Sequence, residues 1–196
     1  MNATAMNTAT VRTTAVVPTE VDNRVAYLGF GFGYVFGHGA AWLSKAGIAA
    51  LPSWLPITLL ATGILVGTGF AMTASLRAQK TASPARRRAE KLVGTAWVTG
   101  FVALGLAITG LSNAFDAPDL QTVLWPAGSA IVVGMIYIAE GAVRGISLHY
   151  NLGTWLALVG AATLLLPQTT FFGALALLGG GAYLVASALE GRRVAA

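Results

Sequence analysis

Long apolar stretches alternate with short polar breaks along this chain, and the stretches carry almost no charge. They cover about residues 25–43, 55–76, 92–112, 122–143, 152–166 and 170–189. A helix that crosses a bilayer needs ~20 predominantly apolar residues, and most of these stretches meet that length. The fifth has only about fifteen apolar residues before Pro167, which predicts a short or bent span. The pattern predicts an all-α integral membrane protein of six transmembrane helices. Residues 1–24, rich in Thr and Ala with mixed charge, are expected to form a disordered cytoplasmic tail, and residues 190–196 a short cytoplasmic C-terminal tail.

Charge placement orients the spans. The break at Arg77–Lys91 reads RAQKTASPARRRAEK and holds six basic residues against one acid, Glu90. Positive loops are retained in the cytoplasm. With this loop inside, alternation puts both termini inside and eleven of the twelve Lys and Arg residues with them, leaving Lys45 outside. The expected location is a bacterial plasma (inner) membrane. Trp42, Trp54 and Trp125 then fall at outer helix ends, and Trp97 and Trp155 near inner ends, as in the aromatic belts of membrane proteins.

Composition agrees, with 56% hydrophobic and only 10% charged residues. Average globular proteins carry roughly 25% charged residues, enough to cover a water-facing surface. The net charge of +5 does not indicate nucleic acid, because the basic residues lie at helix ends and Arg86, Arg87 and Arg88 have no interleaved aromatics. Anionic lipid headgroups or an acidic cytoplasmic partner fit them better. Absence of cysteine excludes disulfides, thiolate nucleophiles and iron–sulfur sites. A weak repeat links Gly67-x-x-Phe70, Gly134-x-x-Tyr137 and Gly180-x-x-Tyr183, with Arg77 and Arg144 seven residues beyond the first two aromatics. It predicts three helical hairpins, each leaving and returning to the cytoplasm. The last of them, LGTWLALVGAATLLLPQTTFFGALALLGGGAYLVASALEGRR, resembles the small six-span bacterial acid-resistance membrane family in its glycines, its Pro near the outer turn and its basic inner end. Overall the chain also looks like small actinobacterial membrane proteins labelled transporter permeases. The resemblance implies the six-span fold and supplies no functional residue.

Candidate chemistry is sparse. Glu140 is the only carboxylate within a predicted span, and Arg144 stands one helical turn beyond it, so an i,i+4 ion pair is expected, with a proton relay or cation site as the sharper reading. His38, between Gly37 and Gly39, is either a packed imidazole or a sensor of external pH. No second His or Cys stands at metal-ligand spacing, and no metal or cofactor is expected. Tyr137 belongs with the few polar groups that could hydrogen-bond between helices or line a pathway. Gly29, Gly33 and Gly37 make two consecutive GxxxG steps that let another helix approach closely. No catalytic constellation is visible, so no enzyme is expected. The function expected is a transport-related component, either permease subunit or small-solute pore, working as a homo-oligomer or with a partner subunit. The alternative is a non-transporting stress, regulatory or assembly factor that docks a cytoplasmic partner through residues 77–91.

Overall fold

A computed structural model describes residues 21–195, which form helices joined by short turns, with no strand among them. Six rods follow one another: α1 over residues 24–45, α2 Leu55–Gln79, α3 Pro84–Ala114, α4 Leu120–Arg144, α5 Ser147–Thr163 and α6 Gln168–Ala195. Four of them, α2, α3, α4 and α6, are long and apolar enough to cross a membrane. At 17 residues α5 is shorter. Two rods contain a wide π-helical turn, at Gly33–His38 in α1 and Leu175–Gly180 in α6. Such turns are rare and concentrate at functional sites.

Helix boundaries depart from the hydropathy pattern chiefly at one end of the bundle. The basic stretch 77–91 is almost entirely helical, and only residues 80–83 separate α2 from α3. Local chemistry explains the early start of α3. The Ser83 hydroxyl accepts the Arg86 backbone N–H as an N-cap, and Pro84 occupies the first turn, where no N–H is needed. Likewise Arg144 is the last residue of α4, while His149 and Tyr150 belong to α5. Gly145 turns the chain between them at φ +67°, a left-handed conformation that glycine adopts without a Cβ penalty. At the C-terminus α6 runs on through the expected tail to Ala195. The expected N-terminal tail lies outside the described residues up to residue 20. Its last part does not: Val21 and Asn23 are buried against the end of α6.

Neighbouring helices follow the chain around a ring, with α1 also packed on α6. Contact is extensive both between α4 and α5 and between α1 and α2, whereas α2 and α3 barely touch. Lipid provides no hydrophobic drive for helix pairing, so close packing of small residues must supply the contact. Gly29, Gly33 and Gly37 of α1 lie against Leu60, Gly63 and Gly67 of α2, backbone to backbone. In the α4–α5 pair, Gly134 faces Gly153 and Ala157, Gly141 faces Tyr150, and Gly160 faces Ala127 and Ala130. A Cβ on Gly134 would stand 2.5 Å from the Ala157 nitrogen, so no side chain fits there. The centre is filled by Tyr27, Tyr34, Tyr137, Tyr183, Phe171 and Phe172, all buried.

Gly63 is the sharpest test of this packing, because an added methyl would overlap the Gly33 backbone, whereas Gly69 on the same helix has nothing within 4 Å. Overpacking costs about 1–3 kcal/mol or more, so Gly63→Ala should lower stability by at least that much in detergent unfolding. Gly69→Ala should be neutral or stabilising by up to ~1 kcal/mol, since alanine favours helix.

Candidate functional site: a buried ionic cluster at one end of the bundle

Arg144, at the C-terminal end of α4, reaches across to α3. Its Nε and one terminal nitrogen donate to both oxygens of Glu90, at 3.0 and 2.7 Å. The other terminal nitrogen donates to Glu140 Oε2 at 2.9 Å, one turn back on its own helix. Glu140 also accepts from Trp97 Nε1 of α3 at 2.8 Å and from His149 Nε2 of α5 at 2.9 Å. His149 Nδ1 stands 2.6 Å from the Tyr27 hydroxyl of α1. Arg86 completes the set by donating to Glu90 Oε1 at 3.0 Å. Side chains from four helices, α1, α3, α4 and α5, are thus joined in one network. Two carboxylates face two guanidiniums, and the Glu90, Glu140 and Arg144 side chains are each less than a tenth exposed.

The geometry assigns the histidine tautomer. A carboxylate oxygen can only accept, so Nε2 of His149 carries the hydrogen toward Glu140. In the neutral ring Nδ1 then accepts from Tyr27, whose O–H is the donor. The Tyr137 ring lies against the imidazole, with centroids 4.1 Å apart. Tyr27, His149 and Glu140 therefore form a line of proton-carrying groups, and among the described residues no serine or threonine is bonded to the imidazole.

A third buried carboxylate stands at the same end. Glu190 of α6 is wholly buried and binds Arg193 at 2.8 Å. It also accepts the Asn23 backbone N–H at 3.1 Å, and Asn23 immediately precedes the first turn of α1. A negative group at a helix N-terminus interacts favourably with the helix dipole. Arg193 further donates to the Val21 carbonyl, and Ser187 to that of Arg24. Outside the helices, hydrogen bonding from Arg24 holds the Asp22 carboxyl below its usual 3.8, with partial burial opposing. A lowered pKa adds stability above the usual value that is lost as pH falls, and this half-exposed pair adds little.

The other sequence candidates are dispersed. His38 is buried near the opposite end of α1, edge-on to Tyr34 at 4.9 Å and near Phe172 at 6.1 Å. Of the arginine triplet only Arg86 enters the cluster. Arg87 and Arg88 are exposed, and Arg87 donates to the Ala82 carbonyl. Gly29, Gly33 and Gly37 line the α2 contact, away from the cluster. Among the described residues no group of three His, Cys, Asp or Glu could hold a metal ion. Sequence reasoning missed Glu90, His149, Tyr27 and Trp97. Helical spacing carried a signal for two of them: Arg86, Glu90, Val93 and Trp97 share one face of α3.

Comparison with known proteins adds no name: no family model, no curated protein and no solved structure matches this chain.

Removing one partner from a buried ion pair costs about 3–5 kcal/mol, because the remaining charge is left uncompensated. Arg144→Met should therefore destabilise the protein by about that amount in detergent unfolding, while the exposed Arg88→Met should stay within about 0.5 kcal/mol of wild type.

Proposed function

We propose that this chain is a small bacterial plasma-membrane protein that serves transport, as a permease subunit or a small-solute pathway. In this reading six helices cross the bilayer, both termini face the cytoplasm, and the protein works as an oligomer or with a partner subunit. It performs no covalent chemistry of its own. The helical, apolar character of the chain makes it a membrane protein. The observation that supports transport is the ionic cluster joining α1, α3, α4 and α5. Charge is costly inside a bilayer, and intramembrane ionisable groups characteristically mark pathways and relays. A network of breakable polar contacts across four helices also suits a gate, since switching between helices proceeds by repacking such contacts.

The described conformation is closed. Aromatic rings fill the centre, and the groove of about 400 Å³ between α5 and α6 is apolar and open to the side, lined by residues such as Leu152, Trp155, Leu178 and Val185. That groove suits a lipid chain rather than a polar solute. Passage would thus require the cluster to loosen or a second copy to complete the path. The exposed Arg87 and Arg88 favour a second reading, in which α3 docks on an acidic partner or anionic headgroups without transport.

Two measurements test this. Reporter fusions should place both termini and residues 80–83 in the cytoplasm. Proteoliposomes should swell in urea or glycerol faster than protein-free vesicles, and Arg144→Met should change that rate. No movement of any small solute or ion would remove the transport reading and leave the docking one.

A further inference from the structure

The chain has five tyrosines and two histidines, and four of the tyrosines and both histidines meet in one buried column. Only Tyr150 stands apart, at 44% exposure. From the ionic cluster the column runs from Glu140 to His149, whose Nδ1 meets Tyr27 and whose ring lies against Tyr137. Tyr183 of α6 follows, edge-on to Tyr137 with ring centroids 6.4 Å apart. The Tyr34 ring centroid lies 5.4 Å from that of Tyr183, and the His38 centroid 4.9 Å from that of Tyr34. The members come from α1, α4, α5 and α6, so the column is not one helix face seen end to end.

Phenylalanine would fill the same volume without a hydroxyl, and the same core uses it at Phe171 and Phe172. A buried hydroxyl costs free energy unless it is hydrogen-bonded, so four tyrosines in this core call for a use of the hydroxyls. The column is also directed. Tyr27 to His38 is eleven residues of α1, or ~16 Å at 1.5 Å per residue. That is about half of a ~30 Å hydrocarbon core. Beyond His38, Trp42 and Phe172 close the remaining path with apolar rings.

We infer that this column is a gated proton pathway, and that the species moved is the proton. The inference rests on the transport reading and names its substrate. Each transfer leaves the covalent frame intact. A hydroxyl oxygen takes a proton on a lone pair and releases its own hydrogen to the next group. Rotation of the hydroxyl or an intervening water carries the proton over the wider steps beyond Tyr183. At the inner end His149 takes a proton at Nδ1 and gives the one on Nε2 to Glu140 Oε2. Glu140 becomes a neutral acid, and Arg144 keeps its two bonds to Glu90. Release of the proton to the cytoplasm restores the carboxylate, and a flip of the imidazole ring returns an N–H to face Glu140 for the next proton.

The test uses the full chain in phosphatidylethanolamine–phosphatidylglycerol vesicles containing a pH-sensitive dye, with a potassium gradient and valinomycin as driving force. Wild-type vesicles should acidify faster than protein-free ones. Tyr183→Phe, which keeps the ring and removes the hydroxyl, should cut the rate roughly tenfold or more, as loss of a proton-transfer group does. Tyr150→Phe should leave it unchanged. Should Tyr183→Phe fail to fold, Tyr34→Phe takes its place with the same expectation. Wild-type acidification no faster than that of empty vesicles overturns the inference, and so does wild-type conduction in folded Tyr183→Phe or Tyr34→Phe. Vesicles that pass urea or glycerol but not protons would sink the proton pathway alone, whereas vesicles that pass nothing would sink the transport reading as well.

Discussion

Burial of charge is the constraint on which this structure depends. A carboxylate removed from water loses several kcal/mol of solvation unless protein groups replace it. Glu140 recovers that loss from three donors on three helices, and Glu90 from two arginines. Each donor comes from a fixed position along its own helix. The same contacts that make the charges tolerable therefore set the registers of α3, α4 and α5. Tyr27 extends the restraint to α1 through His149, and Glu190 fastens the start of α1 to the end of α6. One end of the bundle is consequently tied by directional contacts, while the other is held mainly by ring and methyl packing.

Small residues make this possible by keeping helix axes close. On α1 the two roles are separated by face. Gly29, Gly33 and Gly37 turn toward α2, while Tyr27, Tyr34 and His38 turn into the centre. The two π-helical turns meet across the α1–α6 contact, where the Tyr34 ring lies over Gly179 and Val35 lies over Gly180. Trp155 of α5 donates its indole N–H to the Leu178 carbonyl within the second wide turn. The turns thus belong to the packing that seats the aromatic column.

Much of this architecture could be read from the sequence, because span length, helix-end arginines and GxxxG spacing are local properties. The Glu140–Arg144 contact was legible for the same reason, being one turn on one helix. What brought Glu90 and His149 to that pair was not local. Counting charges by loop assigned Glu90 to a basic linker, although Ser83 and Pro84 already marked a helix start before it. His149 falls in the polar break between the fourth and fifth apolar stretches, because hydropathy rises only at Leu152, whereas the buried face of α5 begins at His149 and continues through Leu152, Leu156 and Val159. Hairpin pairing by repeat also hid the extensive contact of α4 with α5, which follows the tight turn at Gly145. Polar groups at span ends are difficult in this way, since lipid-facing and cluster-facing residues have the same composition until the neighbours are known.

The central claim, that ionic contact between helices holds this end of the bundle together, is most directly measured by a double-mutant cycle on Glu90 and Arg144, fifty-four residues apart in sequence. Glu90→Gln, Arg144→Met and the double variant would be compared by reversible unfolding in detergent. A coupling of about 1–3 kcal/mol is expected, the double variant being markedly less destabilised than the sum of the single ones. Additive losses, with no coupling beyond about 0.5 kcal/mol, would contradict the account.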